Sequence, residues 1–386
     1  MKRSPLLTAA ALALAAAISL GLARFSYALL LPPMRAELGW SYATAGAMNT
    51  VNAAGYLLGA LLAPRCFQAF DARRVMLAGG LASAVLLAAH GLVRSDAALF
   101  TLRLLSGLSS AAGFVGGGLL AARLAGRVPA RSGLVLGLYY GGTGLGIIAS
   151  ALVVPPLHWP LAWMALGALA LLANAIAALA TRELVAPPQP GAARAPLPLR
   201  PFAFGLASYL MFGLGYIGYM TFIVTLLREQ GLGATAIIAF YVLLGCGVVA
   251  SSWLWAGVLH RHRGGGPMAL LNALLALATV LPVWSHHPVA VFVSGALFGS
   301  VFLSVVASTT ALVRHNAAAA AWPAGIAAFT IVFAAGQIVG PTLVGLIADG
   351  AGGLARGLAV SAAALLLGAL LALAQKPQKP QKALPA

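Results

Sequence analysis

Apolar stretches of about 20 residues recur from one end of the chain to the other, separated by short clusters of charge, proline and glycine. That length is what a helix needs to cross the hydrocarbon core of a bilayer. Windows counted between the breaks predict twelve spans. Six lie at 6–31, 43–67, 75–93, 97–123, 133–154 and 159–180. The other six lie at 202–227, 234–259, 268–284, 289–313, 322–348 and 354–374. The stretch 182–201, RELVAPPQPGAARAPLPLRP, is proline-rich and aperiodic, as an interdomain linker is. The end of the chain, QKPQKPQKALPA, is a basic low-complexity repeat expected to be disordered. The expected division is a six-helix bundle at 1–181, a linker at 182–201, a second six-helix bundle at 202–374 and a tail at 375–386.

The two bundles read as copies of one another. GLARFSYALLLPPMRAELG, at 21–39, returns 192 positions later as GLGYIGYMTFIVTLLREQG, at 213–231. In that register Gly21, Leu22, Tyr27, Glu37 and Gly39 match Gly213, Leu214, Tyr219, Glu229 and Gly231. Gly55 matches Gly247, Gly107 matches Gly299, and Gly144 matches Gly336. A repeat at half the chain length signals duplication. Two duplicated bundles form a transporter plan, with the solute bound near mid-membrane between them.

Composition supports the membrane reading and removes competitors. Charged residues make up 8% and the mean hydropathy is +0.97, against about a quarter charged in a soluble domain. The net charge of +17 would suggest nucleic acid in a soluble protein. Here it follows from topology instead. Most lysines and arginines fall in the loops on the side of the two termini. The opposite side holds only Arg35, Arg94, Arg228 and Arg356. By the positive-inside rule both termini are cytoplasmic, and nucleic acid is not an expected partner. The N-terminal run, Met1-Lys2-Arg3 followed by alanine and leucine, imitates a secretory signal. It continues through Arg24 and Tyr27 and matches an internal helix, so a retained first span is expected. Cys66 and Cys246 suggest neither a disulfide nor a zinc framework.

Several motifs resemble the major facilitator superfamily, and within it the YbfB/YjiJ-like branch. They are Gly21-Leu22-Ala23-Arg24-Phe25-Ser26-Tyr27 with Leu31-Pro32-Pro33-Met34, Gly55-Tyr56-Leu57-Leu58-Gly59, Phe212-Gly213-Leu214-Gly215-Tyr216 with Thr221-Phe222, and Gly336-Gln337-Ile338-Val339-Gly340-Pro341. The resemblance implies an all-α membrane protein of twelve transmembrane helices in two pseudo-symmetric six-helix bundles. It also implies a multi-pass protein of the bacterial-type inner membrane, a monomer, a small-molecule substrate and no cofactor. The superfamily's loop signature between helices 2 and 3 is altered: Ala63 and Pro64 follow Gly59 without an acid, and the basic pair survives as Asp71-Ala72-Arg73-Arg74. Arg103-x-x-x-Gly107 in helix 4 is present. In helix 5 the glycine spacing of exporters is kept by Gly133, Gly142 and Gly146, with Ile147 where their proline belongs.

Candidate chemistry centres on two arginines inside the helices. Arg24 lies eight residues before Pro32 and Arg103 seven after Asp96, placing both roughly 10–12 Å below the outer surface at 1.5 Å per residue. A buried arginine costs at least ~2.5–3.5 kcal/mol on insertion and usually faces a partner or a watery path. The functional reading is a substrate anion held by the guanidinium groups; the alternative is that they cap helix carbonyls. Tyr27, Tyr216 and Tyr219 offer an apolar face and a hydroxyl to an amphipathic solute, or simply pack helices. Gln337 and Asn52 are buried polar groups that need partners.

The six acids all fall at helix ends or in loops. Glu37, Asp71, Arg73, Arg74 and Glu229 are accordingly expected in gating or coupling, and uniport, exchange and a coupling proton stay open. His260-x-His262 and His286-His287 lack the ligand set for a metal. An enzyme would need convergent nucleophile, base or metal ligands, and the chain shows none. The expected function is secondary transport of a small anionic or amphipathic organic solute by alternating access. Drug or metabolite efflux by proton antiport is the alternative, ahead of a sensor or an intramembrane enzyme.

Overall fold

The protein is described here by a computed structural model covering residues 4–184 and 197–378. Its long helices are α1 Pro5–Leu38, α2 Tyr42–Ala69, α3 Ala72–His90, α4 Asp96–Arg127, α5 Ser132–Val153 and α6 Trp159–Ala180. The second set is α7 Ala203–Glu229, α8 Ala234–Leu254, α9 Gly266–Trp284, α10 Pro288–Asn316, α11 Trp322–Ala348 and α12 Gly353–Leu373. Among the described residues, eleven segments are long and apolar enough to span a membrane. The twelfth helix, α2, is longer than several of them but less apolar. Its deficit comes from Asn49, Thr50 and Asn52, all spent on contacts with other helices. Large apolar side chains such as Leu61, Leu171, Leu346 and Leu370 are exposed on the outer faces of the helices, where a bilayer supplies the missing contacts.

The duplication reappears as equivalent contacts. A Cβ on Gly55 would meet the carbonyl oxygen of Leu104, and one on Gly247 that of Ala296. Likewise Gly107 lies against Asn52 O and Gly299 against Leu244 O. Each partner is displaced by the same 192 positions, so α2 meets α4 as α8 meets α10.

The first helix departs from expectation. It does not end at Pro32 but runs through Pro32 and Pro33 to Leu38, where Gly39 closes it in the left-handed region at φ 67°. Residues Ala17–Phe25 are wound as a π-helix, with Ser26 N donating to Gly21 O at 3.0 Å. Wide turns of this kind often mark functional positions. Here α1 also lies backbone to backbone on α5: a Cβ on Gly21 would stand 2.5 Å from Gly146 Cα. Gly146→Val is expected to cost about 1–3 kcal/mol by overpacking and lower the thermal midpoint. Gly126→Val, with nothing within 4 Å, leaves the midpoint unchanged.

The linker core at 185–196 and the tail from 379 lie outside the described residues. Order does extend past the expected boundary at 374. Gln375 is buried, donates to Pro201 O at 2.9 Å and accepts from Gly205 N at 2.9 Å.

Candidate functional site

The two bundles are joined from the face remote from the termini down to the midplane. Asp349, at the end of α11, accepts from Tyr42 N at 2.7 Å and Ala43 N at 2.9 Å, capping the start of α2. Tyr42 OH donates to Glu229 at the end of α7, and Arg35 lies 3.7 Å from the centre of the Tyr42 ring. One step deeper, Thr50 Oγ1 donates to Ile338 O at 2.7 Å, and Asn49 Nδ2 to Thr221 Oγ1 at 2.7 Å. Tyr241, the repeat equivalent of Asn49, donates from α8 to Phe25 O at 2.6 Å. These ties therefore obey the duplication as the helix contacts do. Toward the terminal face, Tyr140 of α5 is 41% exposed.

The two intramembrane arginines share a depth, because Arg103 Nη1 donates to Ala23 O at 3.1 Å. Their surroundings differ. Arg103 also donates from Nη2 to Asn49 Oδ1 at 3.0 Å and from Nε to Met48 O at 3.4 Å. Its guanidinium lies 4.6 Å from the centre of the Tyr27 ring, and Asn52 Nδ2 donates to its backbone oxygen at 3.0 Å. Arg103 thus ties α1, α2 and α4 together through neutral acceptors. Arg24 sits in the π-helical stretch and donates from Nη2 to Gln337 Oε1 of the other bundle. Its Nε is buried with no hydrogen-bond partner, and Tyr56 lies 5.7 Å away.

The tyrosines separate in the same way. Tyr27 OH donates to Ala45 O at 2.9 Å. Tyr219 shares a hydrogen bond with Ser294 Oγ at 2.7 Å and stacks on Phe298 at 4.0 Å. Tyr216, by contrast, belongs to an aromatic stack with Phe212, Phe302 and Phe333 at 4.8–5.9 Å. Arg24 and Gln337 come together with Tyr56 beside them; Arg103 and Tyr27 form a second group; Tyr216 belongs to the aromatic stack, and Tyr219 stands apart.

The gating candidates also divide. Glu229 bridges the bundles, whereas Glu37 stays within the first, accepting from Trp159 Nε1 at 2.7 Å and pairing with Arg94 at 3.4 Å. Asp71 caps α3 through Arg73 N at 2.8 Å. Arg73 anchors the end of α6 through Ala178 O at 2.6 Å and Thr181 Oγ1 at 3.1 Å, and Arg74 is exposed. Sequence reasoning passed over Asp349, Tyr42, Asn49, Thr221, Tyr241 and Tyr56. The low hydropathy of α2 was the available signal for three of them.

The described residues form twelve long helices in two repeated bundles that meet at a buried arginine–glutamine pair, and this arrangement defines a transporter fold. A family model described as the uncharacterised MFS-type transporter YbfB matches residues 16–373, and the chain belongs to that family of major facilitator transporters. It is not an enzyme. A comparison with curated protein sequences gave no match. Among solved structures, it is similar to the nucleoside transporter NupG, with a TM-score of 0.74 at 14% identity over 97% of this chain and 99% of that one. It is also similar to a bacterial homologue of the human lysosomal transporter Spinster in an inward-facing, unoccupied conformation. That match has a TM-score of 0.70 at 15% identity over 98% and 100%. At such identities these two likenesses speak for the fold.

Proposed function

We propose that the chain is a secondary active transporter that moves a small organic anion by alternating access between its two bundles. The observation that carries this reading is Arg24. It is a buried cation of the first bundle whose partner in the protein is the neutral Gln337 of the second. An arginine held at mid-membrane without an acid is expensive, and a transported anion supplies the missing charge at the point where the bundles meet. Arg103, with acceptors on three sides, acts as a positioning residue that fixes α1 against α2 and α4. Tyr216, Tyr56 and the stack behind them form the wall for the organic body of the solute.

The ties at the remote face and the exposed Tyr140 toward the termini fit a conformation open to the terminal side. The basic loops make that side the cytoplasm of a bacterial-type inner membrane, with the bundles divided at 182–201. Glu229 and Asp349, the acids that bridge the bundles, hold the remote face together in this conformation. Reporter fusions within 182–201 and at the C-terminus are expected to read cytoplasmic, and an external signal at either refutes the topology. In liposomes, counterflow of an organic anion is expected for the wild type and is abolished in Arg24→Leu. Undiminished anion counterflow in that variant would overturn the assignment.

A further inference from the structure

We infer that the transported solute carries a carboxylate group, which seats on the Nε–Nη2 edge of Arg24 by displacing the side chain of Gln337. The inference rests on the transporter reading above and sharpens it to a ligand class. In arginine, Nε–H and one Nη2–H lie side by side on the edge pointing away from Cδ, a planar fork matched to two carboxylate oxygens. In Arg103 that edge is filled: Nε donates to Met48 O and Nη2 to Asn49 Oδ1. In Arg24 it is half filled, since Gln337 Oε1 takes Nη2 while Nε is buried and unpartnered. A glutamine amide brings a single acceptor atom beside a donor NH2 group, and here that oxygen takes Nη2 and leaves Nε without a partner.

Gln337 is therefore the internal stand-in for a ligand with two acceptors. A carboxylate satisfies both donors and cancels the charge, which none of the six acids does, because all six lie at helix ends or in loops. A phosphate monoester would bring ~1.5–2 negative charges to a site with one open guanidinium edge, so a single carboxylate matches it better. The displacement has a mechanical consequence. Arg24–Gln337 is a tie between bundles, and a carboxylate that takes Arg24 unfastens it, so solute binding itself frees the bundles to move.

The test compares variants of the full-length protein in nanodiscs by thermal unfolding. Gln337→Glu places a tethered carboxylate on the same edge. It is expected to raise the midpoint by several degrees and to remove any response to added carboxylates. The soluble probes are benzoate, 3-phenylpropionate and hexanoate, each beside its amide and its phosphonate. At least one carboxylate is expected to stabilise the wild type, its amide is not, and Gln337→Leu lowers its half-saturating concentration at least fivefold. Arg24→Lys keeps the charge but lacks the edge and abolishes the response. If Gln337→Glu fails to raise the midpoint, or no carboxylate stabilises the wild type, the assignment is overturned. If only the amides or phosphonates act through Arg24, the carboxylate assignment fails while the transporter stands. If liposomes containing the protein carry no solute of any class, the transporter reading itself fails.

Discussion

In Arg103→Ala the thermal midpoint is expected to fall sharply, while Arg24→Ala keeps its midpoint and loses transport. The two side chains have the same chemistry and nearly the same depth, so the difference lies in their partners. Removing Arg103 strands Ala23 O, Met48 O and Asn49 Oδ1 and takes the cation from over Tyr27. Three net hydrogen-bond losses of about 1 kcal/mol each make about 3 kcal/mol, to which the void left among α1, α2 and α4 adds. Removing Arg24 ends one hydrogen bond and also removes a buried donor that had no partner. The change is expected to stay within about 1 kcal/mol. Thermal unfolding beside anion counterflow separates the two roles. Equal destabilisation by both substitutions would make Arg24 a structural residue like Arg103.

The second large effect concerns the remote face. Asp349→Ala is expected to release the start of α2, because Asp349 holds two of the backbone N–H groups that a helix leaves open at its beginning. Bonds to a charged acceptor contribute ~1.5–3 kcal/mol, and a helix N-terminus favours a carboxylate by a further fraction of that. Amide hydrogen exchange at 42–46 is therefore expected to accelerate at least tenfold, the factor equivalent to about 1.4 kcal/mol. Glu37→Gln, on an acid that stays within the first bundle, leaves the same amides unchanged. Exchange at 42–46 that is indifferent to Asp349 would mean that α2 is held by other contacts and the latch is not a latch.

The architecture was largely legible from the pattern of apolar windows and the 192-residue repeat, since both record the packing of helices in lipid. Among the described residues twelve long helices appear where twelve windows fell, and the Gly55/Gly247 and Gly107/Gly299 matches return as matched contacts, whereas Gly144 lies against Gly245 O and Gly336 against Leu210 O. The end of α1 was misjudged because two adjacent prolines normally stop a helix. Here the helix tolerates them and stops at Gly39 instead.

At the site, composition identified Arg24 and Arg103 as unusual but could not rank them. The ranking depends on which acceptors the folding of α1, α2 and α4 brings to each guanidinium, and those partners are distant in sequence. Asp349 was invisible for the same reason: an acid at the end of α11 looks like any loop acid until it is seen capping α2 across the bundle boundary. Tyr241 could have been found from the repeat, as the counterpart of Asn49, had Asn49 been recognised first.

The proposed alternating access has the two bundles rock about the solute site beside Arg24, closing one face as the other opens. It is tested most directly by spin-label distances in nanodiscs, on a Cys66→Ser, Cys246→Ser background. One pair sits at Ala97 and Thr235 on the remote face and one at Gly126 and Ala320 on the terminal face; all four positions are exposed. Each pair is expected to show two distances. Asp349→Ala should move the populations in opposite directions, lengthening the remote-face distance while shortening the terminal one. A single unchanging distance at both faces, in the wild type and in Asp349→Ala alike, would contradict alternating access in this protein.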